Sequence, residues 1–158
     1  MTRRSIGFAA AAVVLLGAWY WFRPERAILD RRIEETALET DARTVLRGAF
    51  HSNAHPTRGT ATVQQLHDGS LTLRFTDFET SDGPDVQIYL VASDDVQDAA
   101  DVARGFVNLG ALKGNIGDQN YRIPAGTDLS RYRAVSVWCR RFGVNFGAAA
   151  LEAVPQGS

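Results

Sequence analysis

The feature that most limits the fold of this chain is a series of short segments in which apolar and polar residues alternate. In the clearest segment, residues 133–139, Val135, Val137 and Cys139 alternate with polar or bulkier residues. A β-strand places alternate side chains on opposite faces, so these three are expected to point together into a core. Similar segments occur at 47–50, 60–66, 70–75, 86–90, 106–109, 120–123 and 145–153. Asp68-Gly69 between the segments 60–66 and 70–75 predicts that these two strands form a hairpin. This spacing predicts an all-β domain, an antiparallel β-sandwich or partly open barrel of about seven to nine strands.

The first 22 residues differ in composition from everything that follows. After the basic start at Arg3 and Arg4, residues 6–22 carry no charge and end in four aromatic residues. As a helix this run spans about 26 Å, which suits a signal peptide or a signal anchor. Bulky aromatics stand where a cleavage site needs small residues, and they favour the membrane interface. The sequence therefore predicts an uncleaved, single-pass transmembrane helix over residues 1–22, with a cytoplasmic N-terminus and an extracytoplasmic (periplasmic or cell-surface) domain.

Two further helices are expected. A helical stalk or linker is predicted over residues 23–44, because apolar residues recur there at helical spacing and Arg31 lies one turn from Glu35. These apolar residues are Ile28, Leu29, Ile33, Ala37 and Leu38. A short helix capped by Ser93 or Asp94 is predicted at 94–104. The globular β domain is expected to cover residues 45–154, followed by a flexible tail at 155–158.

Charge and cysteine content narrow the function classes. The formal net charge of −1 argues against the clustered basic face that nucleic-acid binding requires, so no nucleic-acid partner is expected. The single cysteine, Cys139, excludes an internal disulfide. One interpretation is a small buried core residue, since free cysteine is among the most buried residue types. The other is a redox thiol or a soft metal ligand, activated by the positive charge of Arg140 and Arg141.

Other candidate chemistry gives weaker signals. The three histidines, His51, His55 and His67, lack the spacing of a helical metal-binding pair, so polar loop residues are the favoured interpretation. Clustered carboxylates around Gly83-Pro84 would suit Ca²⁺, but they do not match a known calcium loop, and a solvated loop is favoured. These carboxylates belong to Asp77, Glu79, Asp82 and Asp85. No metal site and no stand-alone catalytic activity are predicted, since no hydrolase or nucleotide-binding motif is present.

Glycine, aromatic and turn residues follow one another in a specific order along the domain. The order is Gly48-x-Phe50, His55-Pro56-Thr57-x-Gly59-Thr60-Ala61, Leu71-x-Leu73, Phe78-x-Thr80, Gly83-Pro84-Asp85-Val86, Tyr89-Leu90, Leu109-Gly110-x-Leu112-Lys113-Gly114-Asn115-x-Gly117-Asp118-Gln119-Asn120-Tyr121, Pro124, Trp138-Cys139 and Phe142-x-Val144-x-Phe146. Over residues 45–154 this order resembles the DM-thirteen, or "electron-transfer", domain found beside DOMON domains in Skeletor-like proteins. The resemblance implies a sandwich-like all-β fold and electron transfer, with the family cysteine, here Cys139, as a redox thiol or haem ligand.

The resulting hypothesis is a membrane-anchored, extracytoplasmic electron-transfer module. Its redox thiol would be Cys139, and haem is the cofactor that the resemblance implies, with Cys139, Trp138 and His55 as candidate cofactor-binding residues. The partner would be the membrane, through the N-terminal helix, and a redox or adhesion protein. The alternative is an adhesion or ligand-binding module, for carbohydrate or protein, in which Cys139 is structural.

Overall fold

The computed structural model describes residues 30–155, in which the chain forms nine strands and one short helix. The strands are β1 (Arg43–Ser52), β2 (Arg58–Gln65), β3 (Leu71–Glu79), β4 (Val86–Val91), β5 (Phe106–Ala111), β6 (Gln119–Ile123), β7 (Ala134–Cys139), β8 (Val144–Ala150) and β9 (Glu152–Ala153). The helix, α1, is Ala99–Ala103. The prediction of an all-β fold with about seven to nine strands is confirmed.

The nine strands form one sheet, in which every pair of neighbouring strands is antiparallel. The order is β5-β4-β7-β8-β1-β2-β3-β6, and the short β9 pairs with β1. The sheet rolls into a nearly closed barrel or sandwich with β5 and β6 at its two edges. The predicted hairpin between β2 and β3 is present, and Gly69 in its turn has a φ of 82°, a conformation that glycine adopts without steric cost.

The rolled sheet encloses one main core. Phe50, Phe75 and Phe78 meet at its centre, with ring centroids 4.8 to 5.1 Å apart. Such aromatic contacts add about 0.5–1.5 kcal/mol to the area that the rings bury. A second, smaller cluster lies on the opposite face of β4 and β7, where Val102 of α1 packs. Strands β4 and β7 are therefore covered on both faces, which makes them the most enclosed part of the sheet.

The prediction of a helical stalk is wrong for the part of it that the structure describes. Residues 30–36, here called the N-terminal strap, are extended and lie against the segment before β6. Three backbone hydrogen bonds join them: Ile33 N to Ile116 O at 2.9 Å, Ile116 N to Arg31 O at 3.3 Å, and Glu35 N to Asp118 O at 2.9 Å. These bonds replace the helical ones, because a thin apolar face cannot hold an isolated helix in water.

Glu35 fixes the strap in place with its side chain. Both carboxylate oxygens of Glu35 accept hydrogen bonds from Lys113 Nζ, at 2.8 and 2.9 Å, and one also accepts from Asn120 N at 2.7 Å. The pair that helical spacing predicted, Arg31 with Glu35, is therefore absent. Arg31 instead approaches Asp82, at 3.7 Å.

The second predicted helix is shorter than expected. It begins at the N-cap Asp98, whose side chain accepts hydrogen bonds from two backbone amides, rather than at Ser93 or Asp94. Residues 94–97 are not helical and are fixed by contacts with the rest of the domain: Asp95 pairs with His51 at 2.8 Å, and Val96 is fully buried. These tertiary contacts prevent the helix from starting earlier.

No helix within residues 30–155 has the length and apolar character that a bilayer-crossing segment requires. The predicted anchor at 1–22, the first part of the predicted stalk and most of the predicted tail lie outside the described residues.

Candidate functional site

Strand β7, in the most enclosed part of the sheet, carries the candidate cysteine as its last residue. Its neighbours are β4 and β8, so Cys139 lies opposite Val86 on one side and Val144 on the other. The Cys139 side chain is 0% exposed and belongs to the main core together with Val135 and Val137. The predicted alternation is confirmed: the three side chains share the inner face of the strand.

Arg140 closes the end of β7 immediately after the cysteine. Its backbone N donates to Asp85 O at 2.9 Å, and its guanidinium contacts the Asp85 carboxylate through Nε at 2.8 Å and an Nη at 3.3 Å. Gln87 Nε2 donates to the same carboxylate at 2.8 Å. The hydrogen bonds that Arg140 donates to the Asp85 carboxylate raise the pKa of its guanidinium. The charge of Arg140, one of the two arginines expected to activate Cys139, is thus directed at Asp85.

Trp138 lies on the outer face of β7 and begins a row of aromatic rings. Its ring stacks on that of Tyr89 in β4, with centroids 6.5 Å apart and planes 25° apart. The Tyr89 ring stacks in turn on Phe106 in β5, at 4.1 Å and 13°. We call Trp138, Tyr89 and Phe106 the aromatic stack. It crosses three adjacent strands and leads from the residue next to Cys139 to a side chain that is 46% exposed.

Tyr89 is the buried centre of this stack. The residue is 3% exposed, and burial raises the pKa of its phenol. Sequence reasoning identified Trp138 but missed Tyr89 and Phe106. In β4 the side chain of Tyr89 points to the face opposite that of Ile88 and Leu90, so the alternation does indicate that Tyr89 lies on the outer face. The sequence around Tyr89 does not reveal that β7 and β5 are the strands that flank β4.

The three histidines lie apart and contact different residues. The His55 ring packs on Phe146, a bulge residue of β8, with centroids 3.9 Å apart. His51 Nε2 lies 2.8 Å from Asp95 Oδ1, and His67 lies 3.4 Å from carboxylates of Glu39 and Asp41. Burial raises the pKa of the Asp95 carboxyl, but the hydrogen bonds from His51, Gln97 and the backbone of Val96 and the charge of His51 together outweigh burial, so the net shift is downward.

The carboxylates considered for Ca²⁺ are also separated. Glu79 pairs with Arg58, Asp85 pairs with Arg140, and the backbone N of Asp77 donates to Asp118. Within residues 30–155, no group of three or more His, Cys, Asp or Glu side chains is arranged to hold a metal ion. Asp82 differs from the others, because one of its oxygens has no hydrogen-bond partner.

The residues present do not fit a haem bound through Cys139 in this conformation. Its sulfur is fully buried between Val86 and Val144, so an iron atom could reach it only after the end of β7 had opened. His55 stacks on Phe146 rather than pointing into an open site. We therefore derive no step through haem, and the assignment of Cys139, Trp138 and His55 as cofactor-binding residues stays a prediction.

Comparison with known proteins gives one match. The family model described as "Electron transfer DM13" matches residues 49–151, which include β2 to β8, Trp138 and Cys139. Neither the curated proteins nor the solved structures contain a match to this chain.

Proposed function

The chain belongs to the electron transfer DM13 family, and on that premise we propose that it is a membrane-tethered, extracytoplasmic module that relays single electrons between partner proteins. The uncharged run at residues 6–22, with Arg3 and Arg4 before it, supports the tether and the orientation. The strap supports a domain held near its attachment point, because the described residues that precede β1 fold back onto the domain.

The aromatic stack is the observation that carries this proposal. The indole of Trp138 and the phenol of Tyr89 are side chains that can lose one electron, and their rings stack with centroids 6.5 Å apart beside the smaller core cluster to which Tyr89 belongs. In the relay, an acceptor takes one electron from Trp138, and Tyr89 or an external donor returns it. When Tyr89 is the donor, its phenol passes one electron to Trp138 and releases its proton to solvent, and Trp138 returns to its starting state. The external donor then supplies one electron to the tyrosyl radical, which takes a proton from solvent and becomes a phenol again.

Cys139 has a separate place in this proposal. A thiol with no exposure does not react with external disulfides, because reactivity requires access as well as a thiolate. We assign Cys139 the role of a gated redox thiol, which becomes reactive only when the Arg140 end of β7 opens.

The burial of Cys139 also favours the alternative function. A thiol enclosed by valines is equally suited to a purely structural role in an adhesion or ligand-binding module. The two functions differ in one respect: only an electron-transfer module requires charge to move along the aromatic stack.

Photo-oxidation of the full-length chain tests the relay. Trp19 and Trp21 are first replaced by Phe, so that Trp138 is the remaining tryptophan. A ruthenium photosensitiser with a sacrificial oxidant then oxidises Trp138, and transient absorption follows its radical. We expect a tyrosyl signal to grow as the tryptophanyl signal decays, and we expect Tyr89→Phe to remove it.

Tyr132→Phe is the matched control, since Tyr132 lies outside the aromatic stack. It should leave the tyrosyl signal unchanged. An unaltered Trp138 radical decay in Tyr89→Phe would exclude the relay and leave the binding module as the better account.

A further inference from the structure

Asp82, in the loop before β4, has one buried carboxylate oxygen that accepts no hydrogen bond from the described residues. Its Oδ1 accepts a hydrogen bond from Gly83 N at 2.8 Å and lies 3.7 Å from an Arg31 Nη. The side chain is 5% exposed. Among the residues that the structure describes, Asp82 Oδ2 is the one buried side-chain polar atom without a hydrogen-bond partner. An unsatisfied buried acceptor destabilises the folded state, so a donor that fits this oxygen is expected.

A cavity of about 140 Å³ lies beside this carboxylate. Its lining includes Arg31, Asp82, Asp85, Val86 and Gln87. A single water needs only about 10–15 Å³ of such volume, so the space accepts something larger. The strap forms one wall through Arg31. Val86, on the opposite wall, pairs with Cys139 across β4 and β7.

The charges around the cavity indicate a neutral occupant. Asp85 is already used by Arg140 and Gln87, which leaves Asp82 as the available carboxylate. The guanidinium of Arg31 lies against that carboxylate and offsets its charge. A calcium ion needs six to eight oxygen ligands, and a positively charged neighbour opposes any cation.

One chemical group satisfies both residues at once. A hydroxyl can donate its proton to Asp82 Oδ2 while its oxygen accepts a hydrogen bond from Arg31, whose guanidinium has five N–H donors. Gln87 lines the same cavity, and its side-chain amide can donate to or accept from a second hydroxyl of the same ring. We propose that this cavity binds the hydroxyl-bearing edge of a saccharide. This site goes beyond the electron relay, since Asp82 and Arg31 are not part of the aromatic stack.

Binding to simple sugars tests the site. The full-length chain, in a detergent without a sugar headgroup, is titrated with D-glucose, D-galactose, D-mannose and glycerol, and saturation-transfer NMR detects the bound probe. We expect at least one sugar to bind with a dissociation constant on the order of 1 mM. Asp82→Asn should weaken that binding at least tenfold, as should Arg31→Gln.

Controls make the result decisive. Asp94→Asn removes an exposed carboxylate in the loop that follows β4 and should bind sugar like the unaltered chain. If Asp82→Asn does not fold, Arg31→Gln alone decides the outcome. The proposal is overturned if no probe binds, if Ca²⁺ or methylammonium binds in place of the sugars, or if both variants bind sugar with unchanged affinity. None of these outcomes bears on the electron relay, which is tested through Tyr89.

Discussion

Arg140 and Asp85 are joined three times, once through their backbones and twice through their side chains. The backbone bond, Arg140 N to Asp85 O at 2.9 Å, extends the pairing of β7 with β4 by one residue beyond Cys139. The side-chain contacts fasten the same point from outside. Access to the thiol therefore depends on how often this end of β7 separates from β4.

Removing the side-chain contacts should expose Cys139 more often. We expect Arg140→Gln to increase the rate at which a disulfide reagent modifies Cys139 by roughly two- to fivefold, the range typical of a solvent-exposed ion pair. The rate is measured by absorbance of the released thiolate under native conditions. Arg122→Gln, on the exposed face of β6, is the matched control and should leave the rate unchanged. A rate in Arg140→Gln equal to that of the unaltered chain would show that this pair does not gate the thiol.

The core position of Cys139 predicts the order of two substitutions. Cys139→Ala should lower the free energy of unfolding by about 1 kcal/mol, because it leaves only a small cavity. Cys139→Ser should cost more, by about 1–3 kcal/mol, because its hydroxyl would be buried between valines without a partner. Chemical denaturation of both variants measures the difference. A serine variant as stable as the alanine variant would contradict the dry environment described for this side chain.

Docking of the strap should depend on pH through Glu35. Burial raises the pKa of this carboxyl, but hydrogen bonds from Lys113 and Asn120 outweigh burial, so its pKa lies below the ordinary value of 4.5. A carboxyl with a lowered pKa in the folded state stabilises that state when ionised. The contribution is complete above the ordinary pKa of 4.5 and is lost as the pH falls below it through the lower pKa of the folded state.

Hydrogen-exchange protection factors at the amides of Ile33 and Glu35 measure this effect, since both amides donate to the segment before β6. Glu35→Gln should lower protection at neutral pH and remove most of its dependence on pH. Glu34→Gln, at a neighbouring and more exposed carboxylate, should keep both. Equal pH profiles for Glu35→Gln and the unaltered chain would rule out Glu35 as the residue responsible.

Gly117 should be required for the strap. A Cβ at this position would lie 2.0 Å from the carbonyl oxygen of Ile33, so Gly117→Ala must displace the strap. The φ of 102° also strains any alanine, at about 1–3 kcal/mol. Gly110 separates the two effects: its φ is 113°, and nothing lies within 4 Å of its Cβ position.

Limited proteolysis distinguishes these two variants. Gly117→Ala should make residues 30–36 sensitive to protease, whereas Gly110→Ala should lose stability without releasing the strap. Equal sensitivity of the two variants would mean that close packing at Gly117 is not what holds the strap.

Local patterns were sufficient to predict the sheet and the environment of the cysteine. Alternation at Val135, Val137 and Cys139 gave the face of β7 correctly, and Asp68-Gly69 gave a hairpin, because both are set by residues next to one another. The strap could not be predicted in this way. Ile33 has helical spacing with Ala37, but its backbone partner, Ile116, lies 83 residues further along the chain.

The aromatic stack was hidden for a related reason. Tyr89, Trp138 and Phe106 meet only because β7 pairs with β4 on the side opposite β5, and neither pairing is visible in the segments themselves. The missing hydrogen-bond partner of the Asp82 oxygen results from the way the loop and the strap pack together. A sequence shows the carboxylate but not whether a donor reaches it.

The way the strap is attached has a mechanical consequence. A tether at the N-terminus would pull the domain from the Asp30 end, and the bonds of Asp30 and Arg31 to Asn115 would be the first to break. Peeling breaks bonds one after another, so little force would be needed at that end. Arg31 would leave Asp82 at the same moment, and the cavity would lose one wall while the barrel stayed intact. The first effect of tension on the chain would then be the release of any molecule bound in that cavity.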